Sequence, residues 1–199
     1  MDTGQILADI LVGGELKIHL IGVAGSGMSG IAGLLIALGH TVSGSDKART
    51  VEIDRLEKLG LRFFTGQAAA NVAEADLIIF SSAIRPGNAE YDEALRTGRN
   101  MVRRADALAA ILNCKKGIVI CGMHGKTTTS SMAAHVLKVG GLHPSHYVGA
   151  EIPILGTNAF WDPAGEYFVA EGDESDGTKY SPAGSQNAFV PRIGISAPT

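Results

Sequence analysis

Gly117-Ile118-Val119-Ile120-Cys121-Gly122-Met123-His124-Gly125-Lys126-Thr127-Thr128-Thr129 passes from an apolar run through a glycine-bounded turn into a lysine and three threonines. Ser130 to Leu137 then continue as a helix would. A buried strand, a glycine turn and a helix start, in that order, bring backbone N–H groups and the positive end of a helix dipole onto one point. That arrangement suits a triphosphate. Gly125 brings no Cβ to the approach, Lys126 offers a point charge to β/γ-phosphates, and the Thr127 hydroxyl offers a ligand to Mg²⁺. The full P-loop spacing would put glycine at position 120, where Ile120 stands, so the stretch reads as the shorter GxxGKT.

Working outward, short apolar runs alternate with helical patterns. Strands are expected at 17–22, 41–44, 62–64, 76–81, 117–121 and 167–170. Helices are expected at 28–38, 51–59, 89–96, 105–112 and 126–139. Continuous rather than alternating apolar strands suit a parallel sheet covered on both faces, and the repeated order implies right-handed crossovers. The fold class is therefore α/β: a Rossmann-like parallel-sheet domain over 1–113, then a truncated P-loop ATPase-like α/β domain over 114–199. The boundary is placed at the polar break Asn113-Cys114-Lys115-Lys116.

The first domain carries a phosphate signal of its own. Lys17 to Gly22 leads into Gly25-Ser26-Gly27-Met28-Ser29-Gly30, a GxGxxG opening a helix. In such a loop the first glycine permits the turn, the second lets a pyrophosphate approach, and the third lets helix and strand pack. Asp46 follows at the end of the next strand, where an acid can meet a ribose hydroxyl. Read alone, this is a nucleotide diphosphate site with a nicotinamide cofactor as its default occupant. Ser81 and Ser82 follow the strand through Phe80, at the carboxyl end where open α/β sheets take ligands. Arg103 and Arg104 precede a helix, as a guanidinium fork for pyrophosphate or as a solvated charge patch.

Glu171-Gly172-Asp173-Glu174-Ser175-Asp176 follows the strand 167–170. Four acids in six residues fit a Mg²⁺ site or a solvated loop, and the position downstream of the phosphate loop favours metal for Glu171. His124 reads as a hydrogen-bonding spacer within reach of a nucleotide. Cys114 and Cys121 fit neither a metal hook nor a disulfide framework, and Cys121 reads as a small core residue. A net charge of −3 without a long basic run argues against nucleic acid as partner. The start Met1-Asp2-Thr3-Gly4-Gln5 lacks the features of a signal peptide, and glycines interrupt every long apolar stretch, so a cytoplasmic protein without a membrane span is expected.

Taken together, these motifs resemble the Mur ligase family of peptidoglycan synthesis. The matching pieces are Gly22 to Ala32, Ser43-Gly44-Ser45-Asp46, Ser81-Ser82-Ala83-Ile84, Val102-Arg103-Arg104-Ala105, Gly122 to Thr129, and Glu171 to Asp176. The family's nucleotide loop is similar to GTHGKTT, which accounts for Ile120; Met123 stands for its usual threonine and Gly172 for its usual alanine. The resemblance implies an ATP-dependent ligase that joins L-alanine to UDP-N-acetylmuramate through an acyl phosphate. A ligase attaching a preformed peptide to the same acceptor is the near alternative, and a non-catalytic nucleotide- or UDP-sugar-binding module the more distant one. By the same resemblance Gly122, His124, Gly125, Lys126, Thr127 and Thr128 hold ATP, and Lys126 and Glu171 are catalytic. Thr127 and Glu171 would serve Mg²⁺. Gly25, Ser26, Gly27, Met28, Asp46, Ser81, Ser82 and Arg103 bind the UDP-sugar, in place of the nicotinamide.

Beyond Asp176 the resemblance stops. The family continues into a further metal motif, Asn-x-x-x-Asp-His, and another domain, whereas residues 177–199 are rich in Pro, Ser and Gly, with Phe189-Val190 and Ile193-Gly194-Ile195 as short apolar marks. An incomplete fragment with a poorly ordered tail is the expectation.

Overall fold

Lys17–Ile21 (β1) alternates its side chains, setting Ile18 and Leu20 on one face and His19 and Ile21 on the other, all of them buried. Burial on both faces is what a central parallel strand requires. The computed structural model describes residues 7, 10–150, 153–172 and 193–196. The chain divides into two compact units, one of Ile10–Leu108 and one that begins at Ala109 and also takes in Leu7, so the seam in the middle of the chain falls between Leu108 and Ala109.

In the first unit, β1 is followed by α1 (Ser26–Ala37), β2 (Thr41–Asp46), α2 (Val51–Lys58), β3 (Arg62–Thr65) and a 3₁₀ turn (Ala69–Val72). Then come β4 (Leu77–Phe80), α3 (Ala89–Arg96) and β5 (Met101–Arg103). The sheet order is β3-β2-β1-β4-β5, with every pair parallel. The chain works outward from β1 through β2 to β3, then crosses back to place β4 on the other side of β1. That reversal opens a crevice at the carboxyl ends of β1 and β4, the usual ligand position in such sheets. Ile21, Val72, Ala75, Ile78 and Ala94 close one side of the core, with Phe80, Ile84, Tyr91 and Met101 against them.

Helix α4 (Arg104–Asn113) contains the seam, so the expected boundary at Asn113 is the end of a helix that the seam divides. The second unit continues with β6 (Lys116–Cys121), α5 (Lys126–Val139), β7 (Ser145–Tyr147), β8 (Ala159–Phe160), β9 (Tyr167–Glu171) and β10 (Ile193–Ser196). Its sheet order is β10-β6-β9-β7-β8, parallel except for the antiparallel edge pair β7–β8. Ile120, Ala134, Val148, Leu155 and Val169 form its core. The polar break before β6 is not a loose linker. Lys115 Nζ bonds the carbonyls of Asp162 and Gly165 and lies 4.3 Å from the Trp161 ring centroid, pinning the 161–165 turn to the start of β6.

Two further expectations change. Residues 193–196 pair in register with Ile118–Cys121 of β6, so this part of the tail is a strand rather than a poorly ordered segment. The pairing shields one edge of the strand that carries the phosphate loop. Cys121 is half-buried at the end of β6, not a core residue. Residues 173–192, including Asp173, Glu174 and Asp176, lie outside the described residues.

A buried polar network ties the first unit together. Glu90, in the first turn of α3, is fully buried; it accepts hydrogen bonds from Ser45 Oγ at 2.5 Å and Asn71 Nδ2 at 2.6 Å, and faces His19 Nε2 at 3.6 Å. His19 Nδ1 meets Ser43 Oγ at 2.9 Å. Burial alone would raise the Glu90 carboxyl, but the facing His19 imidazole and the hydrogen bonds of Ser45 and Asn71 outweigh it and hold the group below the ordinary carboxylate range. Glu90→Gln is expected to destabilise the protein by about 1–3 kcal/mol at neutral pH, the cost of mismatched buried polar groups. A depressed folded pKa stabilises above the unfolded value of about 4.3 and loses that stabilisation as pH falls through the folded one. The gap between wild type and Glu90→Gln in urea unfolding should therefore close on acidification and persist at alkaline pH.

Candidate functional site

The N-termini of the helices sort into two kinds. Helix α2 is capped by Thr50, whose hydroxyl accepts from Ile53 N–H, with Glu52 and Asp54 in its first turn. Helix α3 is capped by Asn88, with Glu90 and Asp92 in its first turn. By contrast α1 and α5 start from glycine, Gly25 and Gly125, with no capping side chain and no acid in the first turn. The starts of α2 and α3 thus carry negative charge of the protein's own, whereas the starts of α1 and α5 carry none, which suits an anionic ligand. These are the two helices that follow the glycine loops.

In the second unit, Gly125 sits in the left-handed region at φ 74°, which an L side chain adopts only with strain. The turn delivers Lys126 to the helix start, where its Nζ donates to Gly122 O at 2.6 Å. Parallel pairing of β6 with β9 sets Glu171 opposite Ile120, and Gly172 N–H bonds Ile120 O at 2.9 Å. The Glu171 carboxylate thus lies beside the loop. Thr127 Oγ1 lies 3.0 and 2.9 Å from its two oxygens, and Gly149 N–H donates to Oε2 at 2.7 Å. Ser131 Oγ fixes the first turn by donating to Thr127 O at 2.6 Å. His124, in the turn, and Thr128, in the first turn of α5, are exposed.

A hydroxyl and a carboxylate converging beside a lysine and an uncapped helix fit Mg²⁺, which takes few protein oxygens and completes its shell with water and phosphate. Thr127 and Glu171 would hold it. The strand β9 ends one residue later than expected, and that residue is Glu171, so its side chain has the fixed direction of a strand position rather than a loop's freedom.

In the first unit Gly22, at φ 85°, makes the turn out of β1. Gly25 has an ordinary φ of −65°, so the turn expected from the first glycine of GxGxxG is made three residues earlier. The end of β2 moulds this loop. Ser45 O accepts from both Gly22 N–H (2.8 Å) and Val23 N–H (3.1 Å), and Val23 packs onto Gly44, where a Cβ would meet it at 2.7 Å. Asp46 Oδ2 accepts from Ala24 N–H at 3.0 Å, while Oδ1 accepts from Lys47 N–H at 2.7 Å. The carboxylate read from the sequence as a ribose ligand is thus engaged in holding the loop. Ser81 Oγ lies on the other side, 3.9 Å from where a Gly22 Cβ would stand. Ser26, Ser82 and Arg103 are exposed at the carboxyl edge and Gly27 is half-buried there. Met28 is buried, leaving only its backbone to a ligand.

Sequence reasoning missed Ser45, Glu90 and Gly149. The only signal for Glu90 was a histidine, His19, inside an apolar strand.

A family description, Mur ligase family, catalytic domain, matches residues 17–116. UDP-N-acetylmuramate–L-alanine ligase of Paracoccus denitrificans is 48% identical over 166 residues, covering 83% of this chain and 35% of that protein. Two solved structures are similar. The UDP-N-acetylmuramate-alanine ligase of Thermotoga maritima has a TM-score of 0.74 at 32% identity, covering 80% of this chain and 37% of its own. The UDP-N-acetylmuramate:L-alanyl-gamma-D-glutamyl-meso-diaminopimelate ligase of Neisseria meningitides has a TM-score of 0.74 at 31% identity, covering 81% and 53%. The chain spans about a third of the length of the curated relatives it matches.

If Gly125 is required for its backbone angle, Gly125→Ala should lower unfolding stability by about 1–2 kcal/mol. Gly125→Asn should cost less, since asparagine visits the left-handed region more readily. Equal losses in chemical denaturation would show that the angle is not the constraint.

Proposed function

The chain belongs to the Mur ligase family, and we propose that its two units serve the ATP-dependent joining of L-alanine to UDP-N-acetylmuramate. Thr127 and Glu171 meeting beside Lys126 at an uncapped helix start is the observation that carries the nucleotide half of this reading. The reaction transfers the γ-phosphoryl group of ATP to the lactyl carboxylate, releasing ADP. The amine then attacks the acyl phosphate, forming the amide and releasing phosphate and a proton.

Phosphoryl transfer asks a protein for position and charge neutralisation more than covalent chemistry. Lys126 would exchange the Gly122 carbonyl for β/γ-phosphate oxygens. The first amides of α5 would take the remaining oxygens. Thr127 and Glu171 would hold Mg²⁺, which when bound would supply charge neutralisation at the transferring group. In the first unit, the Gly22–Gly27 turn and the start of α1 would receive the UDP diphosphate, with Ser81, Ser82 and Arg103 at the rim.

The Asp46 oxygens bond the amides of Ala24 and Lys47, so this carboxylate supports the reading of the first glycine loop as a diphosphate site by shaping the loop itself. Curated relatives near 48% identity are named L-alanine ligases, which supports L-alanine as the amine. Among the described residues no helix is long and apolar enough to cross a membrane. A cytoplasmic location is part of the same proposal.

Calorimetric titration should show UDP-N-acetylmuramate binding more tightly than NAD; the reverse order would sink the acceptor assignment. Lys126→Ala should weaken ATP binding by about 1.5–3 kcal/mol, the range of a hydrogen bond to a charged group, while leaving the UDP-sugar titration unchanged. Equal ATP affinity in wild type and variant would remove Lys126 from the site.

A further inference from the structure

Gly149 follows β7 by two residues and stands exposed beside the end of β9. Its N–H donates to Glu171 Oε2 at 2.7 Å. A Cβ built on it would lie 2.8 Å from Oε2, 3.2 Å from Cδ and 3.3 Å from Oε1 of the same carboxylate. Its φ is not positive, so the backbone itself places no demand for glycine at this position. A side chain at this position would instead push the Glu171 carboxylate out of the place it holds.

We propose that Gly149 is a positioning residue of the nucleotide–metal site: its N–H and its bare Cα together hold the Glu171 carboxylate against the Thr127 hydroxyl. The inference rests on the reading of Glu171 as the metal-side carboxylate. A glutamate has three side-chain torsions to fix, and Thr127 alone bonds it from one side. The Gly149 N–H bonds it from another, and parallel pairing of β7 with β9, which sets Tyr147 opposite Ala170, carries Gly149 to that place. Glu171 is thereby ordered before any ligand arrives, with its orientation held from an adjacent strand. Partners of this kind, one shell out from a metal ligand, change metal affinity about 10–100-fold when lost.

The test is a double-mutant cycle on the full chain with Gly149→Ala and Glu171→Ala, measuring ATP binding by calorimetry across a series of MgCl₂ concentrations. Gly149→Ala should raise the magnesium concentration needed for half-maximal enhancement of ATP binding by about 10-fold or more, and leave ATP binding without magnesium unchanged. The double variant should be no worse than Glu171→Ala, because both act through one carboxylate. A wild-type magnesium dependence in Gly149→Ala, or additive losses in the double variant, overturns the proposal while leaving Glu171 in its role. An unchanged dependence in Glu171→Ala overturns both. A metal-free readout covers the case of a variant that does not fold: in ¹⁵N-labelled wild-type protein the exposed Gly149 amide should exchange with solvent more slowly than an unbonded exposed amide, because it donates to Glu171 Oε2. Unprotected exchange at Gly149 overturns the proposal without any substitution.

Discussion

Parallel pairing sends every strand of the first sheet toward one edge, so whatever follows β1 and whatever follows β4 emerge side by side. In the second sheet the same constraint brings the residues after β6 next to the last residue of β9. Each arrangement is a consequence of register: Ile21 opposite Phe80 in one sheet, Ile120 opposite Glu171 in the other. Once those registers are set, the glycine turns have only to bend the chain into the following helix. The amides at its start then point to the same edge.

The two glycine loops are stabilised in different ways. The turn after β1 is moulded from outside, by Ser45 O, the Asp46 carboxylate and the bare surface of Gly44. Behind Ser45 stands Glu90, buried and shared with Asn71 and His19. A carboxylate so placed has a large desolvation cost, which the surrounding donors offset. The network couples the loop to a helix whose outer face is solvated, so a substitution far from the ligand edge can reach the loop. The turn after β6 is held from within, by its own lysine and by the first turn of α5.

Much of this was legible in the sequence. The helices at 89–96 and 126–139 end where the pattern places them, because Asn88 and Gly125 mark their starts and periodic apolar residues run to their ends. The six ordered motifs led to the family. The outer strands were not legible: Ser145-His146-Tyr147 carries no apolar run, and it becomes a strand by pairing with β9 and β8. The short apolar mark at Ile193–Ile195 likewise becomes β10 through β6. Glu90 read as an ordinary first-turn acid, since the groups that face it are His19, Ser45 and Asn71, far away in sequence and beyond the reach of any local pattern. Gly149 gave no signal at all, because its significance lies in another residue's side chain.

The bond from Lys126 Nζ to Gly122 O has a thermodynamic consequence. A lysine that waved freely in solvent would surrender most of its rotamer entropy, up to about 2 kcal/mol, when a phosphate captured it. Here the ammonium is already tethered over the loop, so that ordering is complete in the resting protein. Its capture by phosphate is an exchange of one oxygen acceptor for another, in which a neutral carbonyl gives way to an anion. The side chain behaves as a latch rather than a tether, and the strength of the new contact is felt as the difference between the two acceptors.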